Sequence, residues 1–230
     1  MKLGIIAAMR IEAEKITGVM TDKTTETVGG ITFNTGRIGE NDVICAVCGI
    51  GKVCAAMCAQ TMVVRYSPDA IINTGIGGTL CDELGIGDIA VSDALVQHDM
   101  DVHDLDSVPR GYHPALGITE IPASAELADR IEKIAKSLGV KVKRGVIATG
   151  DQFISSSEIK KGIVDAFGAI ACEMEGGAIA QVCYMNKVPF AVVRAISDGA
   201  NEQSFADYPA FEKAAAEKSS ETVIRLAGEL

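Results

Sequence analysis

The sequence contains no tryptophan, and aromatic residues occupy only 4% of its 230 positions. A core built without large rings must close on Ala, Val, Ile and Gly, by tight approach of small side chains. Basic residues are also few. Lys and Arg number 21 against 31 Asp and Glu, a formal net charge of −10. That balance excludes nucleic acid and anionic membrane as partners, because phosphate binding needs clustered cations. A small neutral or cationic ligand is compatible with it. Long hydrophobic runs are absent too. The opening "MKLGIIAAMR" is followed at once by Glu12 and Glu14, too soon for a signal peptide or a spanning helix, so it reads as a first strand. What the chain does have is 48% apolar residues, enough for a sizeable core and against disorder as the main state.

Seven cysteines stand at positions 45, 48, 54, 58, 81, 172 and 183, nearly all among small apolar neighbours. Cys45 and Cys48 are three apart in an apparent strand, so their side chains point to opposite faces and suit neither a zinc clip nor a redox motif. The seven are expected as free thiols packed as small hydrophobes in a reducing cytoplasm.

No repeat, linker or low-complexity tract divides the chain. Apolar runs predict strands over 2–7, 24–28, 31–36, 42–49, 70–75, 87–99, 141–151, 169–174 and 189–198, with "VGGI" a hairpin signal between the second and third. Between them fall helices. Residues 52–65 repeat apolar positions at Val53, Met57, Thr61 and Val64. Ser124 is a plausible N-cap for 125–138, where Leu127, Ile131, Ile134 and Leu138 recur. Residues 176–186 form a small-residue helix, and 209–228 a closing helix that begins at Pro209. Strands alternating with helices predict a single α/β domain over 1–230, a three-layer αβα sandwich whose central mixed, twisted sheet is flanked by helices. Ligands in such folds collect beyond the carboxyl ends of the strands.

Several of those strand ends carry glycine or acid. "AAMRIE" brings Glu12 after the first strand, "CEMEGG" places Glu173 and Glu175 at the end of the 169–174 strand, and "VRAISD" ends at Asp198. Each alone reads as a cap or a surface acid. Three of them, Glu12, Glu175 and Asp198, on separate strands at one sheet edge, point to a site. "GIGK" fails the spacing of a phosphate-binding P-loop, and neither "GIGKVC" nor "GIGGTL" completes a dinucleotide fingerprint. "HDMDVHDLD" offers two His and four Asp, but its spacing fits no structural zinc pattern, and such loops usually cap and turn the backbone. No G-x-S-x-G elbow is present, and "ISSSE" reads as a helix start.

Taken in order, "GIIAAM" with Glu12, "GIGKV", "INTGIGG", "GDIAVSD", "HDMDV", "GDQFI", "CEMEGGAIA" and "VRAISD" resemble the 5′-methylthioadenosine/S-adenosylhomocysteine nucleosidases of the purine nucleoside phosphorylase superfamily, along essentially the whole chain. The resemblance implies hydrolysis of the N-glycosidic bond of 5′-thio-adenosines to adenine and a 5-thioribose, in methionine salvage. It implies a cytoplasmic homodimer with no metal or cofactor, in which the neighbouring subunit helps close the pocket for the 5′ arm. It makes Glu12 the base that polarises water and Asp198 the donor to adenine N7. Glu175 would bind the ribose hydroxyls, Met174 would lie against the sugar, and Glu173 would assist at the 2′ side. Arg194 would hold the water and the acids. Phe153 would stack on the base, Ile154 would read its edge through the backbone, and Gly78 would line the substrate site. Met9, Ile50, Tyr208 and Phe211 would wall the thioalkyl arm. Three departures stand out: Ile76, where relatives carry a small or hydroxylated residue; Arg10, where an acid is common and which is expected to alter how Glu12 ionises; and Cys48 in place of Ser, expected to be neutral. The alternatives are an aminodeoxyfutalosine nucleosidase, a phosphate-dependent nucleoside phosphorylase and a non-catalytic nucleoside sensor.

Overall fold

Period-two patterning splits each central strand between two cores. In β1 (Lys2–Ala7), Leu3, Ile5 and Ala7 face one apolar cluster and Ile6 the other. The same alternation divides Ile72 from Ile71 in β5 (Ala70–Thr79) and Val193 from Val192 in β10 (Phe190–Asp198). The computed structural model describes residues 1–230. Its other strands are β2 (Thr21–Val28), β3 (Ile31–Ile38), β4 (Asn41–Val47), β6 (Ile89–Gln97), β7 (Ile121–Pro122), β8 (Val142–Thr149) and β9 (Ala171–Glu173). The helices are α1 (Arg10–Val19), α2 (Lys52–Tyr66), α3 (His103–Asp106), α4 (Ala125–Ser137), α5 (Ser157–Phe167), α6 (Gly176–Asn186) and α7 (Ser204–Glu229). None is long and apolar enough to cross a membrane.

Helices α1, α4 and α7 contribute Ile16, Ile131 and Val223 to the first cluster; α2 and α6 contribute Met62 and Ile179 to the second. Small residues dominate where α6 meets the sheet, as a core poor in aromatics requires. The β2–β3 hairpin turns on Gly29 and Gly30 at φ of 59° and 82°, left-handed values that a two-residue hairpin needs and glycine adopts without strain.

The strands form one mixed sheet, but it is not a simple open one. β10 pairs in parallel with β5 and antiparallel with β6, so the path β5–β9–β8–β6–β10 returns on itself as a ring, while β1, β4, β3 and β2 extend outward from β5. Strand alternation does not reveal this closure, because it depends on the distant pairing of Gly78 with Cys172.

Three helical expectations need correction. The stripe Val53, Met57 and Val64 on α2 is the exposed face; Ala55, Cys58, Ala59 and Met62 face the core. Small residues let α2 approach the sheet, so the buried face is the less conspicuous one. Helix α7 begins five residues before Pro209, which sits inside its opening turns. Helix α1 is absent from the sequence-based expectation, because Ala13 and Ile16 are its only buried apolar residues and give little period to read. Cys54 and Cys81 are only half-buried, although all seven cysteines are free. Helix α5 does start at "SSSE", with Ser156 accepting from the Ile159 amide at 3.4 Å.

Candidate active site

Strand β5 carries the site because its neighbours change along it. β10 occupies one edge from Ile71 to Gly78. On the other edge β1 stops at Thr74 and β9 begins at Gly78, leaving a gap at Gly75–Gly77. An amide left without a strand partner needs another acceptor. Glu12 supplies it: its Oε1 accepts from the Ile76 amide at 3.1 Å. Its Oε2 accepts from the Ala8 and Met9 amides at 2.9 and 2.8 Å, as the acid in the first turn of α1. Burial raises the Glu12 pKa, opposed by the charge of Arg194 and by these three amides. Arg10, at the start of α1, is exposed, whereas the charge of Arg194 acts on Glu12 from within the core. Gly75 has no room for a side chain, since a Cβ there would lie 2.6 Å from Glu12 Oε1.

The two carboxylates of "CEMEGG" have different work. Glu173 ends β9, and its Oε2 accepts from the Glu175 and Gly176 amides at 3.0 and 2.6 Å, closing the start of α6. Thr149 Oγ1 donates to its Oε1, and Arg194 Nη2 to its Oε2. Its hydrogen-bonding capacity is thus taken up within the protein, so a 2′-hydroxyl would have to displace one of these donors. Glu175, the N-cap of α6, accepts only from the Gly51 amide, at 2.8 Å, with Arg194 Nη2 3.6 Å from its Oε2. Burial pushes its pKa up to about 7; the neighbouring Glu173 adds to this, while Arg194 and the Gly51 amide oppose it.

Arg194 lies 1% exposed beneath these acids. Its Nη2 also donates to Asn73 Oδ1 at 2.6 Å, and Asn73 is itself anchored by its Nδ2 to the Ile6 carbonyl at 2.9 Å. Despite the burial that opposes its charge, the surrounding Glu173, Glu175 and Glu12 hold its pKa above the ordinary value.

Asp198 does not share the Arg194 side of β10, as a strict alternation would have it. The register shifts between Ile196 and Asp198, so Asp198 pairs with Gly78 rather than extending the Ile196–Gly77 step. Its Oδ1 accepts from the Ala200 amide at 2.9 Å and Ser204 Oγ at 2.7 Å, and its Oδ2 from Ser197 Oγ at 2.9 Å.

These groups meet at a cavity of about 490 Å³. Met9, Glu12, Ile50, Gly78, Phe153, Ile154, Glu173, Met174, Glu175, Asp198 and Tyr208 all line it. Ile76 does as well. Arg194 lies below the lining, and Phe211, 39% exposed, stands outside it. Three aromatic rings gather on one side: Phe153 lies 5.8 Å from Phe205 and 5.5 Å, edge-on, from Tyr208. Phe205, Cys172 and Ser197 are lining residues that sequence reasoning misses. Phe205 follows "SDGANEQS", where no apolar period could have marked it. No Lys, Arg or His lines the cavity, whereas four acids do. The "HDMDVHDLD" segment acts on the backbone: Asp101 accepts from the His103 amide at 3.0 Å and Asp99 from the Asp151 amide at 2.9 Å.

A partly closed mixed sheet with acids at its strand ends defines a member of the phosphorylase superfamily, whose family model matches residues 2–227. The 5′-methylthioadenosine/S-adenosylhomocysteine nucleosidase of Shewanella loihica is 40% identical, with 98% of each chain covered. The enzyme of the same name from Neisseria meningitidis, solved in complex with methylthio-immucillin-A, matches with a TM-score of 0.96 at 30% identity, over 100% of this chain and 99% of that one. Futalosine hydrolase of Helicobacter pylori matches with a TM-score of 0.94 at 34% identity, over 100% of this chain and 98% of that one. The chain belongs to the 5′-methylthioadenosine/S-adenosylhomocysteine nucleosidase family.

Proposed function

We propose that this protein hydrolyses the N-glycosidic bond of 5′-methylthioadenosine and S-adenosylhomocysteine, releasing adenine and the 5-thioribose product. The observation that carries this reading is the cavity's charge: four carboxylates and no basic side chain line it. A phosphate co-substrate would meet only like charge there, whereas water and a neutral nucleoside meet none. An oxocarbenium-like transition state, positive at the sugar, is stabilised by the same acids.

Glu12, aimed by three amides, polarises the attacking water, and its raised pKa suits a general base. Asp198 donates to adenine N7, with Ser197 and Ser204 fixing the carboxyl. Glu175 keeps acceptor capacity for the ribose hydroxyls, and Met174 lies against the sugar. Phe153 stacks on the base and the Ile154 backbone reads its edge. Met9, Ile50 and Tyr208 wall the 5′ arm, joined by Phe205. Arg194 works from below, as counter-charge to the acids.

The reading extends to one three-layer αβα domain over residues 1–230, supported by the division of the helices between two core clusters. It extends also to a cytoplasmic enzyme that needs no metal or cofactor, and to a homodimer, the last supported by exposed Val53 and Met57 on the helix that follows Ile50 of the cavity lining. A second substrate, aminodeoxyfutalosine, is favoured by the likeness to futalosine hydrolase, since it shares the adenosyl half and differs at the 5′ arm.

The test is incubation with 5′-methylthioadenosine in phosphate-free buffer. Free 5-methylthioribose is the expected product. A sugar 1-phosphate formed only when phosphate is added would overturn the reading.

A further inference from the structure

Gly51 and Lys52 open helix α2, and their amides point at two different carboxylates. The Gly51 amide reaches Glu175 Oε1, and the Lys52 amide reaches Asp151 Oδ1, both at 2.8 Å. Free amides at a helix start favour negative charge, so each amide aims the carboxylate oxygen it meets. Asp151 is in turn tied to Asp99, whose Oδ2 accepts from the Asp151 amide at 2.9 Å. The other oxygen of Asp99 takes Lys52 Nζ at 2.6 Å, through side chains that are 19% and 23% exposed. The contacts close a circuit from the Lys52 side chain through Asp99 and Asp151 back to the Lys52 backbone.

That circuit joins the segments following β4, β6 and β8, three strand ends that have no covalent reason to stay in register. Its geometry also constrains Gly51, which sits at φ 97° with Asp151 Oδ1 3.0 Å from where a Cβ would be. Only glycine allows the chain to pass there and still aim its amide at Glu175. None of the three circuit side chains lines the cavity. We infer that Lys52, Asp99 and Asp151 are positioning residues, a clamp that holds the Gly51 amide on Glu175 and thereby sets the aim and ionisation of that carboxylate.

The inference rests on the proposed role of Glu175 at the ribose, but its test need not. The charged or titratable groups acting on Glu175 are Glu173 and Glu12, which raise its pKa, and Arg194, which lowers it; Cys48 lies close enough to feel its charge. The Gly51 amide lowers the pKa as well, so releasing it raises the value.

The experiment is a carboxyl ¹³C NMR titration of Glu175 in the ligand-free protein, wild type against Asp99→Ala and Lys52→Met. Simple through-space electrostatics would move Glu175 in opposite directions, down when an anion is lost and up when a cation is lost. A broken clamp moves it upward in both variants, by about half a pH unit or more on the scale of one lost charge-assisted hydrogen bond. Lys52→Arg, which can keep the ion pair, should stay near wild type. Melting curves identify any variant that fails to fold; Asp99→Ala is the discriminating one, and should it not fold, Asp151→Ala, which also removes an anion of the circuit, opposes the same two signs. Cleavage of the nucleoside should fall about tenfold in its second-order rate constant, with the acid limb of the pH profile displaced upward. Opposite-signed shifts, or no shift in a folded variant, would overturn the clamp. A wild type inactive on the nucleoside but showing upward shifts in both variants would leave the clamp standing and remove only the substrate reading.

Discussion

Arg194 and Glu173 form an ion pair whose side chains are each 1% exposed, and this pairing separates the tasks of Glu173 and Glu175. Glu173 is occupied by Arg194, Thr149 and the start of α6; Glu175, two residues on, stays available to the cavity. Two neighbouring cavity-lining carboxylates thus differ in their protein donors, four for Glu173 against the single Gly51 amide for Glu175. The cost of burying them is offset by a single guanidinium that Asn73 holds in place.

Breaking that pair should therefore be felt first in stability. Arg194→Met leaves Glu173 and Glu175 buried without a counter-charge, and removing one partner of a buried pair typically costs about 3–5 kcal/mol. Urea denaturation should show a midpoint well below that of the wild type. A midpoint unchanged within error would mean that the acids are neutralised some other way.

Glu175→Gln should keep the fold and lose turnover by roughly 10²-fold or more, the scale of a lost transition-state contact. The amide can still accept from Gly51. Steady-state kinetics with circular dichroism on the same sample separates the two effects, and near-normal turnover would make Glu175 a structural cap only.

The raised pKa of Glu175 has a consequence for stability. The folded protein binds a proton here with a pKa near 7, against 4.5 for the ordinary carboxyl, so between those values the native state holds more protons than the unfolded chain. The stabilisation is complete below about pH 4.5 and is lost as pH rises through 7, by at most about 1.4 kcal/mol per pH unit from this group. Glu12 acts in the same direction. In Glu175→Gln the decline of stability from pH 5 to pH 8 should be shallower, as read from melts at several pH values. An identical slope would place the titration elsewhere.

Asp198→Asn should retain nucleoside binding while cleavage falls by about 10²–10⁴-fold, the usual contribution of a general acid. Oδ1 can still accept from Ala200 and Ser204, and Ser197 can turn its hydroxyl to the Gly77 carbonyl, 3.3 Å away. The new amide then donates to N7 without transferring a proton. Binding of an adenine-nucleoside analogue and single-turnover cleavage, measured together, decide the point. Cleavage within a few-fold of wild type would leave Asp198 a hydrogen-bonding role alone.

Gly75→Ala tests the gap in β5 directly. The added methyl would stand 2.6 Å from Glu12 Oε1, so the carboxylate must leave the Ile76 amide. Displacement of a catalytic group by about 1 Å costs on the order of 10²-fold in rate. The loss should fall mainly on kcat, and an unaffected kcat would show that Glu12 need not be held there.

Much of this is legible in the sequence because it is local. Strand and helix periods, the Ser124 cap, the glycine-pair hairpin and the acids at strand ends all follow from residues a few positions apart. "EMEGG" and "AISD" announce carboxylates where an apolar run must stop. What those carboxylates do is decided by contacts across the chain. Glu173 and Glu175 look equivalent in sequence, and only Arg194 and Thr149 reaching one of them distinguishes the pair. The alternation rule puts Asp198 on the Arg194 side, whereas the register shift at Ile196 turns it toward Gly78. Arg10, two positions from Glu12, is exposed, while Arg194, 182 positions away, supplies a buried charge that acts on it. The closed ring of strands, the gap that frees the Ile76 amide and the buried face of α2 are likewise products of non-local pairing. Local propensity sets which elements form; the free energy of burying polar groups sets which of them must meet, and that balance exists only in the folded chain.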